Sequence, residues 1–375
     1  MPRQSVLVLN AGSSSLKYQV VDPLDGLVST AGNVERIAES GMNAALTQLT
    51  GALDSAGVTS SDLVGVGHRV VHGGARFTAA AVVDDAVLAE VEELARLAPL
   101  HNPPAVDGIR HARAEFPDLP QVAVFDTAWF ADLPIASATY ALDAEVVARG
   151  GLRRFGMHGT SHAYVAAEAA RFLGLAPTEL DVVTLHLGNG ASAAAVSRGR
   201  PVDTSMGLTP LEGLVMGTRA GDIDPGVLLH LLRHDGFDLD KLEDLLHHRS
   251  GLQGLAGLHD FRDLLNAVDS GDERAGTAYA VYCHRLRKYV GAYLAVLGGA
   301  DAMVFTAGVG ENVPRVREDA LRGLGALGIE IAPELNRAAS SIARRISSDG
   351  SRVAVLVVPT NEELAIARQV VDVLR

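Results

Sequence analysis

The feature that most constrains this chain is a strand–turn–strand grammar that it uses twice. Residues 5–9 form a β-rich apolar run, Gly12-Ser13-Ser14-Ser15 breaks it, and residues 16–21 resume strand character. Residues 182–187 form a second apolar run, Gly188-Asn189-Gly190 breaks it, and residues 191–196 resume. Apolar runs bounded by glycine and serine clusters read as paired strands. The copies lie about one domain length apart and share little identity. They predict two related α/β halves, and 375 residues is long enough for two cores.

The intervening pattern fits such halves. Residues 41–56 read as a helix and 63–71 as a strand. In 84–97, Val87, Leu88, Val91, Leu94 and Leu97 recur at helical spacing. Pro103-Pro104 suits a first helical turn, and 121–125 is a short buried strand. Residues 272–297 read as one long helix, 302–306 as a strand, and 353–358 as a strand leading into a last helix from about Glu362. Thr360 and Glu363 have capping-box spacing, which leaves Glu362 for another role. No low-complexity linker separates the halves.

Composition excludes several classes. Apolar residues make up 48% and charged residues 21%, a globular balance rather than a disordered one. The net charge of −13 repels nucleic acid, although local arginines and lysines can still hold a nucleotide. No apolar run approaches the ~20 residues of a membrane span. The lone Cys283 permits no internal disulfide, which fits a reducing, cytoplasmic setting. Its neighbourhood, Ala280-Val281-Tyr282-Cys283-His284, reads as helix with the thiol as a small buried hydrophobe.

Asn10-Ala11-Gly12-Ser13-Ser14-Ser15-Leu16-Lys17 concentrates hydroxyls, a glycine and a lysine in one hairpin. Backbone N–H groups, the hydroxyls of Ser13 and Ser15, and the Lys17 ammonium all suit phosphate oxygens. A strand follows rather than a helix, so this is a hairpin phosphate loop and not a P-loop. His186-Leu187-Gly188-Asn189-Gly190 repeats the logic, though Gly-Asn-Gly alone is also an ordinary turn. Gly308-Val309-Gly310-Glu311-Asn312 follows a strand and suits an adenosine or ribose contact. Arg69 ends a strand before Gly73-Gly74, and Arg219 lies between Gly217 and Gly221. Either could be a plain surface arginine; together they could neutralise a phosphoryl group in flight. Asp126 follows the buried strand, a favoured ligand position, with N-capping as its alternative. Of the two histidines near Gly159, His158 is the functional candidate, and His162 starts an amphipathic helix. There is no zinc-type ligand set. Magnesium needs few protein ligands, so Asn10 and Glu362 could suffice.

Taken together, Asn10 to Lys17, His68 to Gly74, Arg153 to His162, His186 to Gly190, Gly217 to Pro225 and Gly308 to Asn312 resemble the acetate kinase family, nearly end to end and in order. The resemblance implies two ribonuclease-H-like domains of the actin-like ATPase fold with an interdomain nucleotide cleft. It implies an N-terminal domain of residues 1–130 completed by a returning helix at 364–375, and a nucleotide-binding domain at 131–363. It places Mg²⁺, with Mn²⁺ as an alternative, on Asn10 and Glu362. It assigns Lys17, His186, Leu187, Gly188, Asn189, Gly190, Asp260, Phe261, Arg262, Gly308, Val309, Gly310, Glu311 and Asn312 to ATP or ADP. Arg69 would hold the substrate carboxylate, Asp126 would be the essential acid, and His158 and Arg219 would stabilise the transition state. Asp260 has a helix-capping alternative. Val71, Leu100, Met157 and Pro210 would surround the acyl methyl. Met157 stands where typical members carry phenylalanine, so propionate is an alternative acceptor.

The implied reaction is ATP + acetate ⇌ ADP + acetyl phosphate, in a homodimer. The rivals are a propionate or butyrate kinase and, from another class, a conformational nucleotide-dependent ATPase, which would hydrolyse ATP slowly without an acceptor.

Overall fold

A computed structural model describes residues 5–12 and 14–375. It divides into two compact units. The first comprises Met1–Asp132, Met157–Ser161 and Asn361–Arg375; the second comprises Leu133–Gly156 and His162–Thr360.

The first unit holds six strands: β1 (Ser5–Ala11), β2 (Ser15–Val21), β3 (Val28–Glu35), β4 (Leu63–Val70), β5 (Ala81–Val82) and β6 (Gln121–Phe125). Their order is β3-β2-β1-β4-β6-β5. The first three strands are antiparallel, β1, β4 and β6 are parallel, and β5 closes the edge antiparallel to β6. Parallel neighbours need a crossover. The helices Met42–Ser55 and Asn102–Glu115 supply them, the latter with proline in its first turn. Residues Ser5–Leu9 are buried throughout, as expected of a central strand covered on both faces. One face packs Leu7, Leu9, Leu16 and Tyr18 against Met42, Leu46, Leu49 and Leu53.

The last helix, Glu362–Leu374, lies on β1 and β4. Gly67 makes this approach feasible: a Cβ there would stand 2.8 Å from both Ile366 and Val370. The N-cap of this helix corrects the capping-box reading. Asn361, not Thr360, caps it, accepting from the Leu364 N–H at 3.0 Å. Thr360 is one residue too early to do so.

The second unit repeats the plan. Its strands are β7 (Asp181–Leu187), β8 (Ala191–Ser197), β9 (Arg200–Thr204), β10 (Ala302–Thr306), β11 (Arg344–Arg345) and β12 (Ala354–Val357). The order β11-β12-β10-β7-β8-β9 is that of the first sheet read from the other edge. The crossovers carry the helices Glu273–Leu297 and Pro314–Leu321. The predicted helix at 84–97 stops earlier, at Glu93, and tightens into a 3₁₀ turn over Leu94–Arg96.

Candidate active site

In the first unit the hairpin between β1 and β2 sets Asn10 directly opposite Lys17. Gly12 N donates to Ser15 O at 2.8 Å and closes the turn. Lys17 is exposed and Ser15 half-buried, while Ser13 lies outside the described residues. Arg69, at the end of β4, reaches across to Asp126, which follows the neighbouring β6. The guanidinium forks onto the carboxylate: Nε donates to Oδ1 at 3.1 Å and Nη2 to Oδ2 at 2.7 Å. The Asp126 side chain is 2% exposed and that of Arg69 19%, so the pair is largely desolvated. Burial works against the Arg69 charge, but Asp126 and then Glu362 outweigh it and hold its pKa above the usual value. At Glu362 the balance differs. Burial raises its carboxyl, Arg69 and Lys17 counter this, and Asp126 adds like-charge repulsion.

His158 is bound into the same cluster by the backbone. Gly159 N donates to Asp126 O at 2.9 Å, so the residue before it lies beside the Asp126 main chain. His158 has φ 58°, a left-handed conformation that costs a non-glycine residue about 1 kcal/mol or more. Met157 is buried at 1% exposure, Val71 is half-buried and Leu100 is 38% exposed. His162 belongs to the core of the second unit: Nδ1 meets Thr184 Oγ1 at 2.7 Å and Nε2 meets Ser192 Oγ at 2.8 Å.

The second unit contains a cavity of about 730 Å³. Eight of the expected nucleotide contacts line it: Gly188, Asn189, Asp260, Phe261, Arg262, Gly308, Val309 and Asn312. They come from three segments far apart in the chain: the β7–β8 turn, the start of the helix Phe261–Asp269, and the short helix Ala307–Asn312, which stands where the sequence predicts a loop. Gly217 joins them because it packs against the Asn189 side chain, leaving no room for a Cβ, and its N–H donates to Asn189 O at 2.9 Å. Asp260 does cap the following helix, accepting from Arg262 N at 2.8 Å, while it also lines the cavity.

Other expected contacts do not line the cavity. The Leu187 side chain is fully buried, and His186 is 9% exposed with its ring 6.2 Å from that of His162. They point to opposite faces of β7, and both faces are covered. Gly190 closes the hairpin, its carbonyl accepting from Gly188 N at 3.0 Å. Glu311 braces the backbone instead: its Oε1 accepts from Ala307 N at 2.8 Å and from Thr360 N at 3.1 Å. The Gly310 carbonyl is taken by Arg317.

Sequence reading missed Leu252, His259, Tyr282 and Val313, all of which line the cavity. Tyr282 sets its ring 4.9 Å from Phe261, nearly edge-to-face. The stretch around it was read for Cys283, whose thiol burial pushes up to about 11, as for an inert core residue.

Arg219 is held differently from Arg69. Its Nη1 donates to Pro210 O at 2.8 Å, and no carboxylate pairs with it among the described residues. Burial lowers its pKa to about 10. A desolvated guanidinium with no countercharge is ready for a transient anion. No group of three or more His, Cys, Asp or Glu side chains could hold a metal among the described residues.

The fold is a pair of α/β units built on one strand order, with a glycine-lined cavity in one unit and an arginine–carboxylate cluster in the other. The acetokinase family model matches residues 5–368. An acetate kinase from Porphyromonas gingivalis is 39% identical, with a TM-score of 0.92 over 99% of this chain and 100% of that one. A propionate kinase from Francisella tularensis subsp. tularensis is 36% identical, with a TM-score of 0.91 over 98% of both chains. An acetate kinase from Entamoeba histolytica is 30% identical, with a TM-score of 0.87 over 98% of this chain and 99% of that one. The chain belongs to the acetokinase family and is an ATP-dependent kinase.

Proposed function

We propose that the chain transfers the γ-phosphoryl group of ATP to acetate, reversibly and in line, giving acetyl phosphate and ADP. The observation that carries this reading is Arg219, a desolvated guanidinium beside Pro210 with no carboxylate against it among the described residues. Such a group gains most from the charge that spreads over a phosphoryl group in transfer. Acetate is ionised at neutral pH and needs no general base. Asp126 accordingly acts on Arg69: with both oxygens committed to the fork, it fixes the guanidinium and leaves Nη1 for the acceptor carboxylate. His158 donates to the transferring group. The nucleotide occupies the cavity of about 730 Å³, a size suited to a nucleoside.

Mg²⁺, or Mn²⁺ in its place, fits the oxygen donors Asn10 and Glu362. A hard cation needs few protein ligands there and relieves the like-charge stress on Glu362. When bound it neutralises charge on the β- and γ-phosphates.

Wild-type protein should form acetyl phosphate, trapped as the hydroxamate, from ATP and acetate. An inactive wild type, or a fully active Arg219→Ala, sinks the reading. Propionate is a second acceptor reading, favoured by the buried, flexible Met157. A kcat/KM series over acetate, propionate and butyrate ranks the acceptors.

The protein works as a homodimer in this reading. The helix Pro225–His234 fully buries none of its side chains, Leu228, Leu231 and Leu232 being half-buried, and Ile223, Val227 and Leu229 are 39%, 42% and 49% exposed. An uncovered apolar face suits a second copy. Light scattering of Val227→Glu/Leu229→Glu should then give half the wild-type mass; an unchanged mass excludes this face. A reducing, cytoplasmic setting suits the one buried, unpaired cysteine. No helix among the described residues is long and apolar enough to cross a membrane.

A further inference from the structure

The short helix after β10, Ala307–Asn312, is held by side chains from both ends. Ala307 has φ 63°, a left-handed conformation disfavoured for any residue with a Cβ. Such strain persists only where the surroundings over-determine it. Glu311 holds one end, accepting from Ala307 N and Thr360 N. Arg317 holds the other. It is fully buried, and Nη1 donates to Gly310 O at 2.8 Å and Glu311 O at 2.9 Å. Its Nε donates to Asn336 Oδ1 at 2.7 Å and Nη2 to Asn336 O at 2.6 Å. Asn336 is anchored in turn through Nδ2 to Pro314 O at 2.9 Å. No carboxylate balances the Arg317 charge among the described residues; every acceptor is neutral. A buried cation satisfied only by carbonyl and amide oxygens is costly and needs a local reason. Its donors converge on the carbonyl end of a short helix whose Gly308, Val309 and Asn312 line the nucleotide cavity.

We propose that Arg317 is a positioning residue for the nucleotide: by tying Gly310 O and Glu311 O to Asn336 it holds the short helix Ala307–Asn312, with its strained first residue, in the form that lines the cavity. The proposal rests on the nucleotide reading of that cavity. Arg317 touches no substrate itself, so its loss acts on nucleotide affinity and leaves the acceptor alone.

The test compares wild type, Arg317→Lys, Asn336→Ala and Arg317→Lys/Ala307→Gly, with Mg-ATP as the probe. Calorimetry gives the ATP Kd, initial rates give KM for ATP and acetate, and a melt gives Tm. Arg317→Lys should raise the Kd and KM for ATP about 10-fold, the scale of one or two lost hydrogen bonds to a charged group. KM for acetate should stay within about 2-fold. Glycine at 307 adopts the left-handed conformation without strain, so the double variant should regain part of the ATP affinity. Asn336→Ala keeps the guanidinium and should show the same effect in smaller measure; it also serves if Arg317→Lys does not fold. A folded Arg317→Lys or Asn336→Ala with unchanged ATP affinity overturns the proposal. So does a parallel loss of affinity for both substrates. A wild type that does not bind Mg-ATP removes the nucleotide reading and this proposal together.

Discussion

The two units share a strand order but treat their key arginines in opposite ways. Arg69 of the first unit is forked onto a buried carboxylate and its charge is reinforced. Arg219 of the second is half-buried and has the Pro210 carbonyl but no paired carboxylate among the described residues, and burial lowers its pKa to about 10. The difference teaches what each is fitted for. A paired guanidinium is fixed in direction and suits a stable, already ionised ligand. An unpaired one is fitted to charge that exists only transiently.

The largest expected effect tests that contrast in activity. Arg219→Ala should lower kcat about 10³-fold, the scale of a lost phosphoryl-stabilising arginine, while Arg219→Met should change the unfolding free energy by about 1 kcal/mol or less. Steady-state rates and urea melts together check it. A large stability loss would mean that Arg219 has a structural partner after all.

Asp126→Asn breaks the contrast from the other side. It leaves Arg69 buried with no fork, so stability should fall by about 3 kcal/mol in urea titrations. If Asp126→Asn and Arg219→Met cost the same, the two arginines do not differ in kind.

Each sheet also buries a histidine in its neutral form, which sharpens the comparison by pH. His68 meets Gln121 at 2.8 Å and burial lowers its pKa from 6.5 to about 4; burial lowers that of His162 as well. Between about pH 4 and 6.5 the unfolded chain binds the proton and the folded chain does not. Folding stability therefore falls as pH drops through that window. His68→Gln should flatten the stability–pH curve between pH 6.5 and 4 without removing the His162 contribution. An unchanged slope would show that His68 is protonated when folded.

The smallest effect compares the two left-handed residues. Ala307→Gly and His158→Gly both relieve strain, and each should gain about 1 kcal/mol at most in thermal melts. Only His158→Gly should also lose activity. Equal loss in both would give Ala307 a role beyond conformation.

Much of the fold was legible because strands covered on both faces are written as unbroken apolar runs. β6 and β10 were read with both ends correct. The glycine-bounded hairpins announced the duplication, since only a turn explains so abrupt a change of residue type. The Asn361 cap and the early end of the helix at Glu93 were not legible, because several nearby residues could serve and local geometry chose among them. In the candidate site, residues such as Asn189 and Gly308 stood out by composition. Tyr282 did not, because an aromatic on a long helix looks the same whether it faces a core or a cavity.

The sequence by itself determined most strands and long helices, the duplicated plan and the residue kinds able to handle phosphate, but not the short helix Ala307–Asn312. Those follow from periodicity and from glycine, which act over a few neighbouring residues. Only the tertiary structure decided which charges are paired. Arg69 and Asp126 are 57 residues apart in the chain and meet only because β4 and β6 are neighbours in the sheet. Arg219 keeps its unpaired charge, and Glu311 becomes a backbone brace, because desolvation and partnership belong to the packed surroundings of a residue and not to its place in the chain.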